Sequence, residues 1–447
     1  MSLPLRPEAA PVMTERRTAV IGALIIVIGP LSMSLYTPAM PELVEAFGST
    51  ASTLKLTLSV YFGAFALAQL LCGPLSDAYG RRPAAIGFFS LYVAGSLIAA
   101  TAPSVGWLIA GRALQGIGVA AGPAIARAIV RDQFIGQPSA RILNLIGTML
   151  AVGPAVAPTL GGAILVAFGW QPIFYVMVLY GLAALGLILL GVPETNPLPD
   201  PAQARPARIL GNYGRLLRDP GFMRASLTIG FSVGGIYALG AILPFVLIDA
   251  VGLTPTQFGL AMICQTGAYM GGTIIAGQAM KRVDANRLIP VGLVMVTLAG
   301  AAMALLPWLL PLSFVTVMGP VAVWACGMAL VMPGATTAAL SGSPAIAGSA
   351  AALMGCLQIG GGFAGSAAAS LFPSPTLAMS VVMPGMALIA LAARLLRPKA
   401  PVPAPARPLA VDENDLELAN DPAGVIGAAG DEIEAGIFRQ PRGLPER

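Results

Sequence analysis

The chain has 447 residues, of which 56% are hydrophobic and only 10% charged, whereas about 25% of the residues in a soluble domain are charged. This composition excludes a water-soluble globular protein and predicts that most of the chain lies in lipid. The formal net charge of +5 follows from the basic residues in the loops, described below, and does not indicate a nucleic-acid partner.

Twelve long apolar runs dominate the chain. A bilayer core about 30 Å thick needs about 20 apolar residues per helical crossing. Runs of this kind lie at residues 18–38, 54–76, 84–102, 105–129, 140–167, 171–192, 222–249, 256–280, 287–307, 311–339, 347–372 and 376–396. They are continuous and rich in Ala, Leu and Gly, which excludes the alternating strands of a membrane β-barrel. The sequence therefore predicts an all-α integral membrane protein with twelve transmembrane helices.

The segment between the sixth and seventh runs differs in composition, with six prolines and no apolar run. We expect it to link two pseudo-symmetric six-helix bundles, an arrangement that internal repeats produce. Beyond the last run the chain becomes rich in Pro and Ala and then acidic, which is typical of disorder. The predicted parts are a cytoplasmic N-terminus at 1–17, bundles at 18–192 and 221–398, a cytoplasmic linker at 193–220 and a disordered cytoplasmic tail at 399–447.

Basic residues lie at one set of predicted loops. These loops contain Arg81, Arg82, Arg127, Arg131, Arg141, Arg205, Arg208, Arg215, Arg218, Arg224, Lys281, Arg282 and Arg287. The opposite loops contain only Lys55. Because cytoplasmic loops carry the excess of Lys and Arg, this asymmetry predicts that both termini face the cytoplasm.

The chain has no His, and its four cysteines are isolated within apolar runs, at Cys72, Cys264, Cys326 and Cys356. This pattern favours neither a disulfide nor a metal site, and no cofactor is predicted. We expect the four thiols to be small buried hydrophobic side chains.

A charged segment stands between the second and third runs, and it begins Gly73-Pro-Leu-Ser-Asp77 and ends Gly80-Arg81-Arg82. We expect the Asp77 carboxylate to cap or face the positive end of a neighbouring helix, with Gly73 allowing that helix to approach. Arg81 and Arg82 would supply partners, with Asp132 a candidate partner of Arg81. These residues would form an ionic latch that holds one conformation. A simple topology anchor would explain the arginines but not Asp77 and the two glycines.

Arg112 lies well inside the fourth predicted helix. A charged side chain at that depth costs at least about 2.5 kcal/mol, and such residues are usually functional and face the bundle interior. The alternative is that the side chain reaches out to the membrane interface. Gln115 lies one turn further along and would hydrogen-bond Arg112 or cargo.

The fifth predicted helix contains a run of small residues and prolines, with Gly153, Ala157 and Gly161 on one face and Pro154, Pro158 and Gly162 beside them. Such a face lets a neighbouring helix pack against the backbone. Gly267 and Gly271 are expected to give the eighth helix a matching face. Ordinary helix packing explains this pattern, and a seal between the two bundles is the functional addition.

Residues 18–396 resemble the major facilitator superfamily, in particular the twelve-helix drug exporters of the bicyclomycin and chloramphenicol resistance (Bcr/CflA) branch. The segment from Gly73 to Arg82 has the family pattern G-x-L-x-D-x-x-G-R-[RK], and residues 35–43, 126–132 and 244–252 resemble other family segments. The resemblance implies proton-driven export of small apolar drugs by alternating access, in a monomer in the bacterial inner membrane. It also implies that Arg112 takes part in proton coupling and that residues 153–162 are the antiporter motif.

One position departs from the family pattern. Ser34 stands where the family usually has an Asp, two residues before Tyr36. The buried acid that would bind a proton or a cationic drug is therefore missing from the first helix. Asp249, near the outer end of the seventh helix, is the candidate substitute proton site, and a capping or loop role is its alternative.

Cargo is expected between the two bundles near the middle of the membrane. The candidate polar and aromatic residues there are Ser34, Tyr36, Gln115, Asn144, Tyr237, Gln265, Tyr269 and Gln358. Each of them alone would also suit a hydrogen bond between helices. As a set, a mostly apolar cavity with few polar groups predicts neutral amphipathic cargo.

Other functions fit less well. Uptake or export of a small metabolite by the same fold stays open, because fold does not decide direction or substrate. A membrane enzyme is disfavoured because the chain has no His and no cluster of carboxylates within the membrane. ATP-driven transport is disfavoured because no lysine follows a glycine, as the phosphate-binding loop requires.

Overall fold

The computed structural model describes residues 11–196, 198–342 and 346–396, and these ranges contain helices and no strand. The predictions for residues 1–10 and for the tail at 399–447 lie outside the described residues. The helices are α1 Glu15–Ser34, α2 Met40–Ala46, α3 Ala51–Tyr79, α4 Arg81–Ala100, α5 Val105–Val119, α6 Ala121–Gln133, α7 Gln137–Phe168, α8 Gln171–Gly191, α9 Pro206–Leu217, α10 Pro220–Pro244, α11 Pro255–Ala279, α12 Ala285–Leu309, α13 Phe314–Ser341, α14 Ala347–Ser370 and α15 Pro375–Ala392.

All twelve predicted apolar runs lie on these helices. In the described part of the chain, 11 helical segments are long and apolar enough to cross a bilayer. The twelfth crossing is α7, whose second half, Gly153–Phe168, is a shorter apolar stretch. The fourth crossing consists of α5 and α6 in succession, and the seventh continues from α10 into a π-helical turn, Phe245–Ala250. The predicted all-α fold with twelve transmembrane helices is confirmed.

Local sequence explains where several helices begin. Thr254 and Gln257 form a capping box at the start of α11, in which each side chain accepts a hydrogen bond from the other residue's backbone N–H. Proline occupies the first turn of α9, α10, α11 and α15, where its missing N–H costs nothing.

The helices form two groups with separate cores. One hydrophobic cluster draws almost all of its residues from α1 to α8, and two others lie mainly within α9 to α15. The groups meet chiefly where α3 packs against α14 and α7 packs against α11.

The α7–α11 contact depends on glycine. A Cβ atom at Gly259 of α11 would lie 2.7 Å from the Thr159 backbone nitrogen, and one at Gly162 would lie 3.0 Å from the Thr256 nitrogen. Gly153 and Gly161 face α1 instead, within the same group. The predicted matching face at Gly267 and Gly271 is wrong, because a Cβ atom at either position meets nothing within 4 Å.

The segment between α8 and α10 contains more structure than its composition predicts. Helix α9 buries Tyr213 and Leu216, with Ile209 packed beside them. The Tyr213 hydroxyl donates a 2.7 Å hydrogen bond to the Leu70 carbonyl of α3. Burial raises the pKa of the Tyr213 phenol, which keeps this donor protonated. The linker is thus packed on the second helix group and is hydrogen-bonded to α3 of the first.

The cysteines are only partly as expected. Cys72 is buried, Cys326 and Cys356 are half-buried, and Cys264 is exposed on the surface of α11. The prediction that all four are buried is wrong for Cys264. In a membrane-crossing helix such as α11, apolar residues face lipid as well as the protein core. An apolar run therefore does not predict that a cysteine within it is buried.

We predict that Gly259→Leu lowers the melting temperature of the purified protein in detergent, because the new side chain collides with the α7 backbone. Overpacking of this kind costs about 1–3 kcal/mol or more. Gly267→Leu is the matched control, on the same helix but facing open space, and should leave the melting temperature unchanged. The melting temperature is measured by intrinsic Trp fluorescence. Equal shifts in melting temperature for the two variants would contradict the close packing of Gly259 against α7.

Candidate functional site

Arg81 holds together the end of the bundle at which α3 ends at Tyr79 and α4 begins, here called the basic end. Its side chain is only 8% exposed. The guanidinium pairs with Asp77, and its Nε donates to Asp132 Oδ2 at 2.8 Å. It also donates to Ser76 Oγ at 2.9 Å. Three side chains, two from α3 and one from α6, therefore meet at one buried cation on α4.

Glu194, which the sequence analysis did not single out, caps the start of α4. One of its carboxylate oxygens accepts from the Arg81 backbone N–H at 2.8 Å and the other from the Arg82 N–H at 3.1 Å. Asp77 was expected to cap or face the positive end of a neighbouring helix. The cap comes from Glu194 instead, and Asp77 pairs with the side chain of Arg81, the first residue of α4. Glu194 follows an apolar run and carries no local helix-start signal, so its partner, 113 residues away, is visible only in the fold.

The two glycines of this segment have different roles. Gly80 has φ +101°, in the region that favours glycine, and the Glu194 carboxylate lies against it. Gly73 was expected to allow close helix approach, but a Cβ atom there would meet nothing within 4 Å. That prediction is wrong because Gly73 faces a cavity. Arg82 donates to the Leu189 carbonyl at 2.7 Å, which ties α4 to α8.

Arg112 lies at the centre of the first helix group and is fully buried. Its Nη1 donates to the Ser32 carbonyl at 3.1 Å and to Gln115 Oε1 at 2.7 Å. The guanidinium carbon lies 4.7 Å from the Tyr36 ring centroid and 4.2 Å from that of Tyr61. The alternative in which Arg112 reaches the membrane interface is therefore wrong.

The compensation of the Arg112 charge is unusual. Across the described ranges no carboxylate forms an ion pair with it, and its Nε and Nη2 lack a hydrogen-bond partner. The position that would supply an acid holds Ser34, which is buried. Ring faces attract a cation electrostatically, by about 2 kcal/mol or more when desolvated. The Tyr36 and Tyr61 rings therefore stabilise the Arg112 charge alongside its two oxygen acceptors.

Lys55 was expected in a loop, and that prediction is wrong. It lies in α3, fully buried, and its ammonium donates to the carbonyls of Ala369 at 3.2 Å and Phe372 at 3.0 Å. These carbonyls are at the C-terminal end of α14, where backbone oxygens lack intrahelical partners and attract positive charge. Lys55 therefore joins the two helix groups at the end opposite the basic end, where α3 begins and α14 ends.

A cavity of about 540 Å³ lies between the groups at the basic end. It is bounded by α3 and α6 of the first group and by α9 and α14 of the second. Its charged or amide-bearing walls include Gln69, Asp77, Arg81, Arg127, Arg131, Arg208 and Asn212. The groups are thus separated at one end and joined through Lys55 at the other.

The predicted cargo residues are not among those that line this cavity. Tyr36 and Gln115 are buried around Arg112, and the Tyr269 hydroxyl contacts Met332 Sδ at 3.3 Å. Tyr237 packs against Phe62 with ring centroids 5.4 Å apart. Gln265 and Gln358 are half-buried, whereas the side chain of Asn144 lies outside those the structure describes. Their contact with cargo stays a prediction.

Asp249 lies in the π-helical turn after α10 and is exposed. It is at the end of the bundle where Lys55 joins the groups, so it is distant in the fold from the cavity. Its position suits a surface carboxylate more than a buried proton site.

Residues 22–366 match the Major Facilitator Superfamily. The chain belongs to this superfamily. Membership makes it a multi-pass membrane transporter of small molecules and not an enzyme.

Three curated relatives are informative. The chain is 31% identical over 75% of its length to the uncharacterized MFS-type transporter YdgK of Bacillus subtilis, covering 84% of that protein. It is 27% identical over 82% of its length to multidrug resistance protein D of Escherichia coli, covering 92% of it. It is 26% identical over 78% of its length to a bicyclomycin resistance protein homolog of Haemophilus influenzae, covering 87% of it. The resemblance to the bicyclomycin and chloramphenicol resistance branch is confirmed.

Solved structures share the fold. A bacterial homolog of the human lysosomal transporter Spinster, in an inward-facing and unoccupied conformation, superposes with a TM-score of 0.64 at 17% identity. The match covers 86% of this chain and 95% of that one. The human organic anion transporter MFSD10 gives a TM-score of 0.57 at 18% identity, over 86% and 99% of the two chains. At these identities the likeness concerns the fold alone.

We predict that Glu194→Ala speeds hydrogen exchange at the first backbone amides of α4 by about tenfold, because a lost helix cap costs about 1–2 kcal/mol and 1.4 kcal/mol is a factor of ten. Peptide-resolved mass spectrometry of residues 79–90 measures this. Glu42→Ala, in the first turn of α2, is the control and should leave these amides unchanged. If Glu194→Ala also leaves exchange unchanged, Glu194 does not hold this helix start.

Proposed function

We propose that the chain is a secondary active efflux transporter that exports small amphipathic drugs or xenobiotics by alternating access, in antiport with protons. The observation that carries the proposal is the asymmetry between the two ends of the helix groups. A cavity large enough for a drug-sized molecule separates them at the basic end, and Lys55 binds the α14 carbonyls at the other.

Alternating access requires that the helix groups are apart at one end while they are in contact at the other. Transporters of this type rock one bundle against the other around a central cargo site. The α3–α14 and α7–α11 pairs are the contacts that such a motion would loosen and re-form. Because Gly162 and Gly259 have no side chains, the backbones of α7 and α11 lie in contact and can move past each other.

The proposed location is the bacterial inner membrane, with the basic end and both termini in the cytoplasm. The basic end carries Arg81, Arg82, Arg127 and Arg131, and the cytoplasmic side is the one that collects Arg and Lys. The relatives described above come from bacteria. In this orientation the cavity takes cargo from the cytoplasm, which is the direction that export requires.

Drug export is supported by the names of relatives that match most of the chain, multidrug resistance protein D and the bicyclomycin resistance protein homolog. The proton-coupling part of the proposal rests on Arg112. A guanidinium without a carboxylate partner responds to any nearby change in charge, because little in its surroundings screens it. The chain is proposed to act as a monomer, with each copy containing its own cavity.

The second candidate is uptake or export of a small metabolite by the same fold. The relative with 31% identity, YdgK, has a name that specifies no cargo. Fold does not decide direction or substrate, so this candidate differs from the first only in what the cavity accepts.

We predict that chloramphenicol, added to energised inverted membrane vesicles that contain the intact chain, releases protons, detected by a pH-sensitive dye. Arg112→Ala should lose this release, because coupling is proposed to pass through its guanidinium. Asp249→Asn is the matched control and should retain it. Labelled chloramphenicol uptake into the same vesicles is measured in parallel.

Each outcome decides one part of the proposal. Uptake with proton release supports antiport, whereas uptake without release removes the proton and leaves drug export. No uptake of chloramphenicol or of other drugs, with uptake of a metabolite instead, would favour the second candidate.

A further inference from the structure

Two arginines in the cavity wall are not neutralised by any residue that the structure describes. Arg127 and Arg131 lie four residues apart on α6, so their side chains share one helix face, and both line the cavity. Neither has an ion-pair or hydrogen-bond partner within residues 11–196, 198–342 and 346–396. Like charges at this spacing destabilise a helix, so an anion between them would be favourable.

The other charges of the cavity do not supply that anion. Asp77 is the carboxylate on its wall, and it is paired with Arg81. Arg208 lies 3.6 Å from Asp200. Among the described residues, the walls therefore carry four arginines against one aspartate, and the two on α6 hold the excess charge.

Gln69 gives the cavity a second recognition group. It is only 8% exposed and lines the cavity from α3, and its Oε1 has no hydrogen-bond partner among the described residues. A buried amide oxygen left without a donor costs about 1–3 kcal/mol. A donor on a bound molecule would remove that cost.

The rest of the wall is apolar, with Pro74, Ala124, Leu143, Ile209 and Ile346 among its residues. Anchoring to lipid headgroups is the ordinary role of arginines at the end of a membrane helix. Arg127 and Arg131 instead face the space between the two helix groups, where α9 and α14 form the opposite wall. Both side chains are exposed, so a molecule in this space can reach them.

We propose that the cargo of this cavity is an amphipathic organic anion, with a carboxylate or similar acid group held by Arg127 and Arg131. The forked guanidinium matches a carboxylate geometrically and binds it with two hydrogen bonds. Gln69 accepts a hydrogen bond from a hydroxyl or N–H group of the same molecule. The inference deepens the proposed export function and replaces the neutral cargo expected from the sequence with an acidic one.

The test is binding of a matched pair of fluorescent probes, 6-hydroxy-2-naphthoate and its uncharged amide, to the full chain in phosphatidylcholine nanodiscs at neutral pH. The intact chain should bind the acid at least tenfold more tightly than the amide. Arg127→Gln combined with Arg131→Gln should remove this preference while amide binding is retained, which shows that the protein is folded. Arg208→Gln, in the same cavity but next to Asp200, is the control and should keep the preference. Gln69→Leu should weaken both probes.

Equal affinity for the two probes, or a preference that survives in the double variant, would overturn the inference. The result is separable from the proposed function. Chloramphenicol export without any preference for the acid would leave the exporter and remove the anionic cargo. A preference for the acid without transport of any drug would keep the anion site and remove the exporter.

Discussion

A positive charge buried in an apolar interior has to be compensated by the groups around it, and the structure meets this constraint in three different ways. Arg81 has two carboxylates and a hydroxyl, and Lys55 has the carbonyls at the end of α14. Arg112 has two aromatic rings, a backbone carbonyl and the Gln115 amide oxygen. Unpaired burial of a charge costs several kcal/mol, so each arrangement locks the helices that supply its partners.

The partners decide which motions remain possible. Asp77, Asp132 and Glu194 lie in the first helix group or in the segment that follows it, so Arg81 binds that group into one body. Lys55 is different, because it donates from α3 of the first group to carbonyls at the end of α14 in the second. In an alternating-access cycle the Lys55 contacts would break and re-form while the Arg81 cluster stays intact. We therefore propose that the charged segment acts as a latch that holds the first helix group together. Lys55 is proposed to act as the gate between the two groups.

Much of this could be predicted from the sequence. The twelve apolar runs, the pairing of Arg81 with Asp132 and the burial of Arg112 beside Gln115 follow from local patterns or family resemblance. The capping role of Glu194, the position of Lys55 and the glycine contact at Gly259 do not, because each depends on a partner far away in the chain. Helix α9 left a weak signal, since Ile209, Tyr213 and Leu216 recur at helical spacing within an otherwise polar segment. The sequence predicted that the cavity arginines lie in cytoplasmic loops. That their side chains line a cavity between the helix groups depends on the fold and could not be predicted.

The most direct test of the gate is the distance between the two helix groups at the Lys55 end, measured by pulsed electron spin resonance. Spin labels at Ser49, before α3, and Pro373, after α14, would be placed in a chain whose native cysteines are replaced by alanine. With Lys55 intact we expect a single short distance, and Lys55→Met should add a longer population because its side chain donates no hydrogen bond to Ala369 or Phe372. Identical distance distributions for the two chains would contradict the claim that Lys55 holds this end closed.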